Sequence, residues 1–287
     1  MKSETKNHSV AKLVRVMKVS RSKYYEWLER KPSARSAHKK KLKQEIMMIF
    51  VESDSIYGAP KITEQLHDKG YIIAKRTVGK YMRELGTCLT VVKKFRPQSK
   101  PKRNLPYENI LKQNFCVPAP NVAWVTDITY IWTKKQKWVY LASVMDLYSR
   151  KIIGYSFDRN KGVSLVKRAL NNPLANQCYP EGVIHYSDRR SQYTSNDYLS
   201  ILQKHKFKIS FSVKGNCYDN ACIESFHSVL KRECIYRNTP IAIQSLNFTL
   251  FKYIEGFYNR RRIHGTLGFK TQQAYENAYY AAMKTAA

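Results

Sequence analysis

The sequence predicts an α/β fold in which a mixed five-stranded sheet is flanked by helices and preceded by segments that are entirely helical. β-branched and aromatic residues dominate five short runs, which read as the strands Val122–Ile131, Trp138–Val144, Lys151–Phe157, Val183–Ser187 and Lys208–Val213. The first three runs follow one another across short turns, which predicts an antiparallel meander. The last two alternate with the helical stretches Val163–Asn171 and Ser195–Lys204, which predicts parallel additions.

Charge is the strongest signal in the composition. The 287 residues carry a formal net charge of +30. Residues 1–115 hold 27 basic and 10 acidic residues, and the remainder holds 24 and 11, so the balances are +17 and +13. A charge spread in this way indicates a polyanionic partner. No apolar run approaches the ~20 residues of a membrane-spanning helix, and no signal peptide opens the chain. These observations favour nucleic acid over a membrane and predict a cytoplasmic protein.

Six cysteines are present and form no CxxC pair. A disulfide framework is not expected in a chain of this size and class. We therefore expect reduced thiols.

A first pair of helices is predicted within Val10–Lys31, divided by a short break at Lys18–Ser20. Leu13, Val16 and Met17 would form the apolar face of the first helix, and Ser20 would cap the second. Two short helices joined by a tight turn are typical of a helix-turn-helix, and a plain helical hairpin with solvated lysines is the alternative. In a helix-turn-helix, DNA contacts are expected from Arg21, Ser22 and Lys23.

A second pair of helices follows a polar, basic stretch, Lys31–Lys43, which reads as a linker. Pro60 suits the first turn of a helix over Lys61–Asp68, and Gly70 would end it. Another helix is predicted over Lys75–Leu85. This arrangement again predicts a helix-turn-helix, with DNA-facing residues Lys75, Arg76, Thr77 and Lys80.

These patterns divide the chain into five parts. They are a helix-turn-helix at 1–35, a second helical DNA-binding segment at 36–90, a basic linker at 91–117, the α/β core at 118–238 and a helical extension at 239–287. The extension carries an apolar stripe at Leu246, Leu250 and Ile254. A basic cluster after the stripe supplies candidate phosphate contacts at Arg260, Arg261, Arg262 and His264, and Tyr258 and His264 are expected to stack on bases.

Three carboxylates fall at positions that favour a metal site. Asp127 is the one charge at the centre of the first strand, and Asp188 directly follows the fourth. Glu224 follows with 35 residues between it and Asp188, on a helical stretch with an apolar face at Ile223, Phe226 and Leu230. A buried acid is costly unless it is paired or binds metal. Carboxylates from two strands and a helix can hold two divalent cations roughly 3.5–4 Å apart, and Mg²⁺ suits such oxygen ligands.

Other polar residues near these acids have more ordinary explanations. Asp146 could join the carboxylates, but its place after a strand favours the opening of a hairpin turn. Asp219 or Asn220 is the natural N-cap of the Glu224 helix. Most histidines are expected to be structural. His185, near Asp188, and His227, one turn after Glu224, are the two exceptions.

The stretches WVTDITYI, YSDRRSQYTS, KGNCYDNACIESFHSVLKRE and FYNRRRIHGTL occur in this order along the chain. Through them the chain resembles bacterial insertion-sequence transposases of the family named after insertion sequence three, which belong with retroviral integrases. The resemblance covers about Ile56 to Tyr275 and implies a ribonuclease-H-like catalytic core. It assigns Asp127, Asp188 and Glu224 as the catalytic DDE residues and metal ligands. The family usually has Gly at the position of Arg190, where Gly would permit a positive φ.

The resemblance also implies an activity and partners. The expected reaction is metal-dependent DNA cleavage and strand transfer at the terminal inverted repeats of an insertion sequence, with two Mg²⁺ ions per site and Mn²⁺ as a substitute. Lys231 matches a basic position of the family and is expected to hold a terminal phosphate or base. The implied partners are double-stranded repeat and target DNA, further copies of the chain, and the product of an upstream reading frame.

Two rival functions are open on the sequence. A DNA-binding repressor with an inactive core is favoured by Arg190, which departs from the family pattern. A nuclease that degrades RNA–DNA hybrids is disfavoured by the two helix-turn-helix patterns, because these bind the duplex major groove.

Overall fold

The computed structural model describes residues 9–29, 33–87, 109–111, 114–177, 180–212, 220–237 and 239–286. The chain divides into two compact units, Met1–Leu89 and Thr90–Ala287. Among the described helices, none is both long and apolar enough to cross a membrane. The described cysteines Cys116, Cys222 and Cys234 are free thiols, as expected. Most of the predicted basic linker, 91–108 with 112 and 113, lies outside the described residues.

The N-terminal unit begins with two short helices, α1 (Val10–Val16) and α2 (Arg21–Glu29). The Ser20 hydroxyl accepts a hydrogen bond from the Lys23 amide at 3.4 Å, as expected of a cap. Val16 and Met17, proposed for the apolar face of α1, are not buried, since they are 74% and 55% exposed. Helices of seven and nine residues offer little surface for mutual burial, and Tyr24 is the buried residue of α2.

Three longer helices complete this unit: α3 (Ala34–Glu52), α4 (Ala59–Asp68) and α5 (Lys75–Glu84). Their core contains Ile46, Ile62 and Val78, all fully buried. The expectation of a linker over Lys31–Lys43 is wrong, because α3 already begins at Ala34. Ser33 caps α3 by accepting a hydrogen bond from the Ser36 amide at 3.2 Å. Lysine and alanine are good helix formers, so polarity alone did not indicate a linker.

The second unit contains a five-stranded sheet in the order β3-β2-β1-β4-β5. The strands are β1 (Ala123–Thr133), β2 (Lys137–Asp146), β3 (Ile152–Asp158), β4 (Ile184–Ser187) and β5 (Lys208–Phe211). β1 to β3 form an antiparallel meander, and β4 and β5 are added in parallel. The predicted mixed sheet is therefore confirmed.

Two hydrophobic clusters cover the two faces of the sheet. Residues alternate along β1: Trp124 and Ile128 belong to the cluster that contains residues of α6 (Val163–Asn176) and α7 (Asn196–Lys204). Val125 and Ile131 belong to the cluster that contains residues of α8 (Ala221–Leu230) and α9 (Ile243–Phe251). This period of two is the geometry of a strand with both faces buried.

The C-terminal extension shares the core of the sheet. The predicted stripe is confirmed, since Leu246, Leu250 and Ile254 are fully buried in the same cluster as β1 and β2. Beyond α9 the chain continues as a π-helical segment, Lys252–Tyr258, and ends in α10 (Gln272–Ala286). Leu111, from the approach to β1, is buried in this cluster as well.

Candidate active site

The strand register brings the two aspartates to the same level of the sheet. β1 and β4 are neighbouring parallel strands in which Val125 is the partner of Tyr186. Asp127 and Asp188 each lie two residues further in the same direction. Adjacent strands are ~4.8 Å apart, so the two carboxylates start from neighbouring backbone positions. Asp127 is buried, and the side chain of Asp188 is 25% exposed.

Arg190 binds both aspartates. Its Nε lies 2.6 Å from Asp188 Oδ2, and its Nη1 lies 3.2 Å from Asp127 Oδ1. Nη1 donates its hydrogen bond to the Ile128 carbonyl at 2.8 Å. Asp127 Oδ1 is therefore ion-paired but buried without a hydrogen bond. The Arg190 amide also donates to Asp188 Oδ1 at 3.1 Å.

His227 contacts Asp127 from helix α8. Its Nδ1 lies 3.5 Å from Asp127 Oδ2, and its Nε2 lies 3.3 Å from the hydroxyl of Ser143. Ser143 is the cross-strand partner of Asp127 on β2, so one imidazole joins α8 to both strands. Burial lowers the pKa of His227 despite the opposing effect of the Asp127 carboxylate.

Helix α8 presents two further charged residues to Asp127. Glu224 lies one turn before His227, and Lys231 lies one turn after it, where α8 passes into a π-helical segment, Lys231–Ile235. Burial and the Asp127 charge both raise the pKa of Glu224. Burial lowers the pKa of Lys231, while the same aspartate opposes that shift. Glu224, His227 and Lys231 therefore lie on one face of the helix, and the charge of Asp127 affects the pKa of all three.

The two aspartates differ in protonation. Burial alone would raise the pKa of Asp127, but the His227 hydrogen bond and the Arg190 charge outweigh it and lower the pKa. Burial raises the pKa of Asp188 to about 6, although Arg190 opposes the shift. The pKa of Asp127 is thus below its usual value, and that of Asp188 is above it.

The donor set fits a hard divalent cation. It supplies three carboxylates, and the buried Asp127 Oδ1 has no hydrogen bond. Glu224 has no hydrogen-bond or ion-pair partner among the described residues. In that same part of the chain, no three such donors stand close enough together to hold a metal ion. Asp127 and Asp188 bind the guanidinium of Arg190 instead, so a metal ion would have to replace it.

The structure separates the neighbouring polar residues from this site. His185 is a core residue whose Nε2 lies 2.9 Å from the Tyr198 hydroxyl, and burial lowers its pKa to about 3. The expectation that His185 is not structural is therefore wrong. Asp146 opens a turn, as favoured, because its carboxylate accepts hydrogen bonds from the Ser149 amide and hydroxyl and the Asn121 amide.

Asn220 occupies the N-cap position of α8 but forms no side-chain cap. Its amide nitrogen instead donates to the Thr126 carbonyl at 3.4 Å, beside Asp127. The other candidate cap, Asp219, lies outside the described residues.

Several candidate DNA contacts of the C-terminal extension are engaged within the protein. Arg262 is buried and donates two hydrogen bonds of 2.8 Å to the carboxylate of Glu233. Tyr258 is also buried. The structure thus corrects the expectations that Arg262 contacts phosphate and that Tyr258 stacks on bases. Arg260 and Arg261 are exposed, and His264 is half-buried with its Nδ1 2.8 Å from the Thr266 hydroxyl.

The candidates in the N-terminal unit are placed at the surface. Arg21, Ser22 and Lys23 are exposed on the first turn of α2. Thr77 on α5 is half-buried, whereas its neighbours Lys75, Arg76 and Lys80 are exposed. These positions are compatible with DNA contact.

Comparison with known proteins decides the family. Residues 117–217 match the integrase core domain family, residues 205–271 match a second integrase core domain family, and residues 37–95 match the HTH-like domain family. Transposase InsF for insertion sequence IS3A of Escherichia coli (strain K12) is 38% identical over 272 residues, which cover 94% of each chain. The chain belongs to the IS3 family of transposases. The IS600 uncharacterized 31 kDa protein of Shigella sonnei is 37% identical to the present chain over 273 residues. The match covers 93% of the present chain and 98% of the Shigella protein.

Solved structures with a detectable likeness to the transposase include viral integrases. A simian T-cell lymphotropic virus intasome in complex with a PP2A regulatory subunit covers 80% of the transposase and 74% of its own chain, with a TM-score of 0.46 and 17% identity. The HTLV-2 integrase catalytic core domain in complex with magnesium covers 55% and 97%, with a TM-score of 0.42 and 16% identity.

The family and fold predicted from the four sequence stretches are confirmed. The integrase core match and the sheet order establish an integrase-type, ribonuclease-H-like core in the transposase. Sequence reasoning noted Arg190 only as a departure and did not foresee its ion pairs. It also missed Ser143 and the contact of Asn220 with β1. For Ser143 the available signal was a polar residue within an apolar strand, and for Asn220 it was a polar residue at the start of a helix.

Proposed function

We propose that the transposase cleaves and joins DNA strands at the terminal inverted repeats of its insertion sequence. The observation that carries the proposal is that Asp188 and Glu224 both lie near enough to Asp127 to feel its charge. The register of β1 with β4 places Asp127 and Asp188 at the same level of the sheet. Helix α8 places Glu224 where the Asp127 charge raises its pKa. In an integrase-core protein, this arrangement supports phosphoryl transfer by a metal-dependent polynucleotidyl transferase.

Asp127, Asp188 and Glu224 would hold two Mg²⁺ ions, for which Mn²⁺ can substitute. Bound metal would activate a water or a 3′-hydroxyl and stabilise the leaving oxygen of the phosphate. His227 holds Asp127 ionised and oriented, since it joins that carboxylate to Ser143. Lys231 supplies a positive charge beside Asp127 and would contact a DNA phosphate. Arg190 must leave the aspartates before metal can bind.

The proposed partners are duplex repeat DNA and target DNA. The HTH-like segment and the charge of +30 support DNA binding. Paired cleavage of two element ends calls for at least two copies of the chain, and an upstream reading frame would supply a further partner. The reaction would take place in the bacterial cytoplasm, where the element's DNA lies.

A second function has one observation in its favour. Arg190 forms ion pairs with both aspartates, as would suit a sequence-specific repressor with an inactive core. A repressor would bind the terminal repeats at any Mg²⁺ concentration without cutting them.

Single replacement of the acids tests the proposal. Asp127→Asn, Asp188→Asn and Glu224→Gln, or the corresponding Ala variants, should each reduce cleavage by about 10²–10³-fold or more, the scale of losing one essential electrostatic group. DNA binding should persist. Cleavage is measured on end-labelled repeats with Mg²⁺, and Asp197→Asn is the control because Asp197 is a largely exposed acid on α7. Normal cleavage by any one variant rejects that residue, and intact binding without cleavage by the wild type supports the repressor.

A further inference from the structure

An exposed ladder of aromatic rings covers one face of the β1–β2 hairpin. Tyr130 pairs with Tyr140 across the strands, and Trp132 pairs with Trp138. We call these four residues the aromatic ladder. The ring centroids lie 5.2 Å apart in the first pair and 4.9 Å apart in the second. Tyr130 and Trp132 are each 40% exposed, and Trp138 is 53% exposed. Contiguous exposed aromatic surface marks a binding site more often than chance exposure does.

The hairpin that carries the aromatic ladder is hydrogen-bonded to the segment before α9. The amides of Lys134 and Lys135, in its turn, donate to the carbonyls of Pro240 and Ile241 at 3.0 and 2.9 Å. The Ile243 amide donates to Gln136 Oε1 at 3.0 Å. These hydrogen bonds hold the turn of the hairpin against the segment before α9.

Hydrogen bonds link the aromatic ladder to the loop that follows Asp188. Lys161 donates to the Tyr130 hydroxyl at 2.9 Å, and its carbonyl accepts from Gln192, two residues after Arg190. Arg190 in turn bonds the carbonyl of Ile128, which precedes Tyr130 by two residues on the same strand. Lys161 is also near enough to lower the pKa of Asp188. Tyr130 lies three residues after Asp127 on β1, on the sheet face opposite to the Asp127 side chain, so a DNA strand would pass from the acids to the aromatic ladder around the edge of β1.

The lysines beside the aromatic ladder indicate which kind of partner it binds. Lys137 and Lys161 lie over the rings of Trp132 and Tyr130, 5.5 and 5.2 Å from their centroids. No carboxylate of the described residues is in ion-pair distance of these lysines, nor of Lys134 and Lys135 in the turn. Protein interfaces are depleted in lysine at their cores. Aromatic faces with unpaired lysines beside them are instead the features that bind single-stranded nucleic acid.

We propose that the aromatic ladder is a binding site for unpaired DNA bases, which stack on its rings while the flanking lysines contact phosphates of the same strand. This inference rests on the proposed function, since strand cleavage and joining require a freed strand end beside Asp188. We expect the site to bind without sequence preference, because every base has a face on which a ring can stack.

The test compares two DNA duplexes that differ only in a short unpaired 3′ extension. Full-length protein is titrated in EDTA, so that no cutting occurs, and binding is followed by anisotropy and by a fluorescent adenine analogue in the extension. The wild type should bind the extended duplex at least about fivefold more tightly than the blunt one, the scale of one stacked base. Trp138→Ala and Trp132→Ala should remove this preference and leave affinity for the blunt duplex unchanged.

Two controls keep the interpretation specific. Trp138→Tyr should retain most of the preference, because it keeps an aromatic face, whereas Trp138→Leu should lose it. Phe248→Ala removes another ring, 71% exposed on α9, and should leave the preference intact. Circular dichroism checks that each variant is folded.

The proposal is overturned if the wild type shows no preference for the extension, or if both Trp→Ala variants keep it. It is also overturned if the variants change only the oligomeric mass in light scattering, since the ladder would then bind protein. A separate strand-transfer assay with Mg²⁺ tests the proposed function. Transfer without the extension preference rejects the aromatic ladder alone, and the preference without transfer rejects the enzymatic function alone.

Discussion

At the scale of the residue, Arg190 occupies a position where the family resemblance predicts glycine. Glycine there would permit a positive φ, but Arg190 is not among the residues with positive φ. The loop therefore does not require glycine. What arginine adds is a guanidinium on both Asp127 and Asp188, which stabilises their paired charges in the absence of metal.

Replacing Arg190 should free these aspartates. Arg190→Gly is expected to leave cleavage unchanged or raise it, and to tighten Mn²⁺ binding by about threefold to tenfold, equivalent to roughly 0.7–1.4 kcal/mol. Calorimetry with Mn²⁺ measures the affinity, and cleavage of labelled ends measures activity. Arg190→Lys, which keeps a positive charge, is the matched control. A large loss of cleavage in the glycine variant would show that Arg190 has a role of its own on DNA.

Metal binding should depend on pH through Asp188. Burial raises its pKa to about 6, so the carboxylate takes up a proton as the pH falls through that value. Burial raises the pKa of Glu224 as well, which acts in the same direction. A proton competes with metal for a ligand oxygen, so Mn²⁺ affinity should fall about tenfold per pH unit below about pH 6. Calorimetry across this range, with circular dichroism as the control for folding, measures the effect. A constant affinity would contradict it.

At the scale of the element, the C-terminal extension completes the sheet. Asn259 follows the π-helical segment Lys252–Tyr258 and is buried against edge strand β3. Its side-chain oxygen accepts from the Ile152 amide at 3.0 Å, and its nitrogen donates to the Ile152 carbonyl at 2.9 Å. One side chain thus replaces the missing neighbouring strand for Ile152.

Removing this amide should destabilise the protein. Asn259→Ala leaves a buried N–H and a buried C=O without partners, which costs about 1–3 kcal/mol per group. We expect the free energy of unfolding to fall by about 2–4 kcal/mol, measured by urea denaturation of the full chain. Asn247→Ala, at an exposed position of α9, should change it by less than about 0.5 kcal/mol. Equal effects of the two replacements would show that the Asn259 bridge contributes little.

At the scale of the whole molecule, the candidate residues for DNA recognition and those for catalysis lie in two different compact units. The candidate helix-turn-helix residues lie in Met1–Leu89, and the three acids lie in Thr90–Ala287. Each unit has its own buried core. The part beyond residue 115 keeps a charge of +13, so it retains the electrostatic attraction for DNA.

A fragment that starts at Asn109 should therefore fold alone, bind Mg²⁺ or Mn²⁺, and bind DNA without preference for the terminal repeats. Base-edge contacts specify sequence, at about 1–3 kcal/mol each, whereas phosphate contacts position the protein. Competition between repeat and scrambled duplexes at one salt concentration, for fragment and full chain, measures the preference. If the fragment keeps it, the sequence is read by the core or by the region around Arg260–His264, and the assignment to the N-terminal helices is wrong.

The order of the elements and the three candidate acids could be predicted from the sequence alone. Strand and helix periodicities are local, so β2 was predicted as Trp138–Val144 and found as Lys137–Asp146. The spacing of Asp127, Asp188 and Glu224 is likewise a property of the chain. The local pattern gave a wrong prediction at α3. Its first turns are rich in basic residues, which suggested a solvated linker, although the same residues also favour a helix.

Only the tertiary structure decided which charges face one another. Arg190 lies against Asp127 and Asp188, whereas Arg262 lies buried against Glu233, and no local pattern distinguishes these two arginines. His185 and His227 differ in the same way, because one faces Tyr198 in the core and the other faces Asp127. The protonation and exposure of a side chain depend on neighbours from remote segments, whose approach is set by the register of β1 with β4 and by the packing of α8 on the sheet.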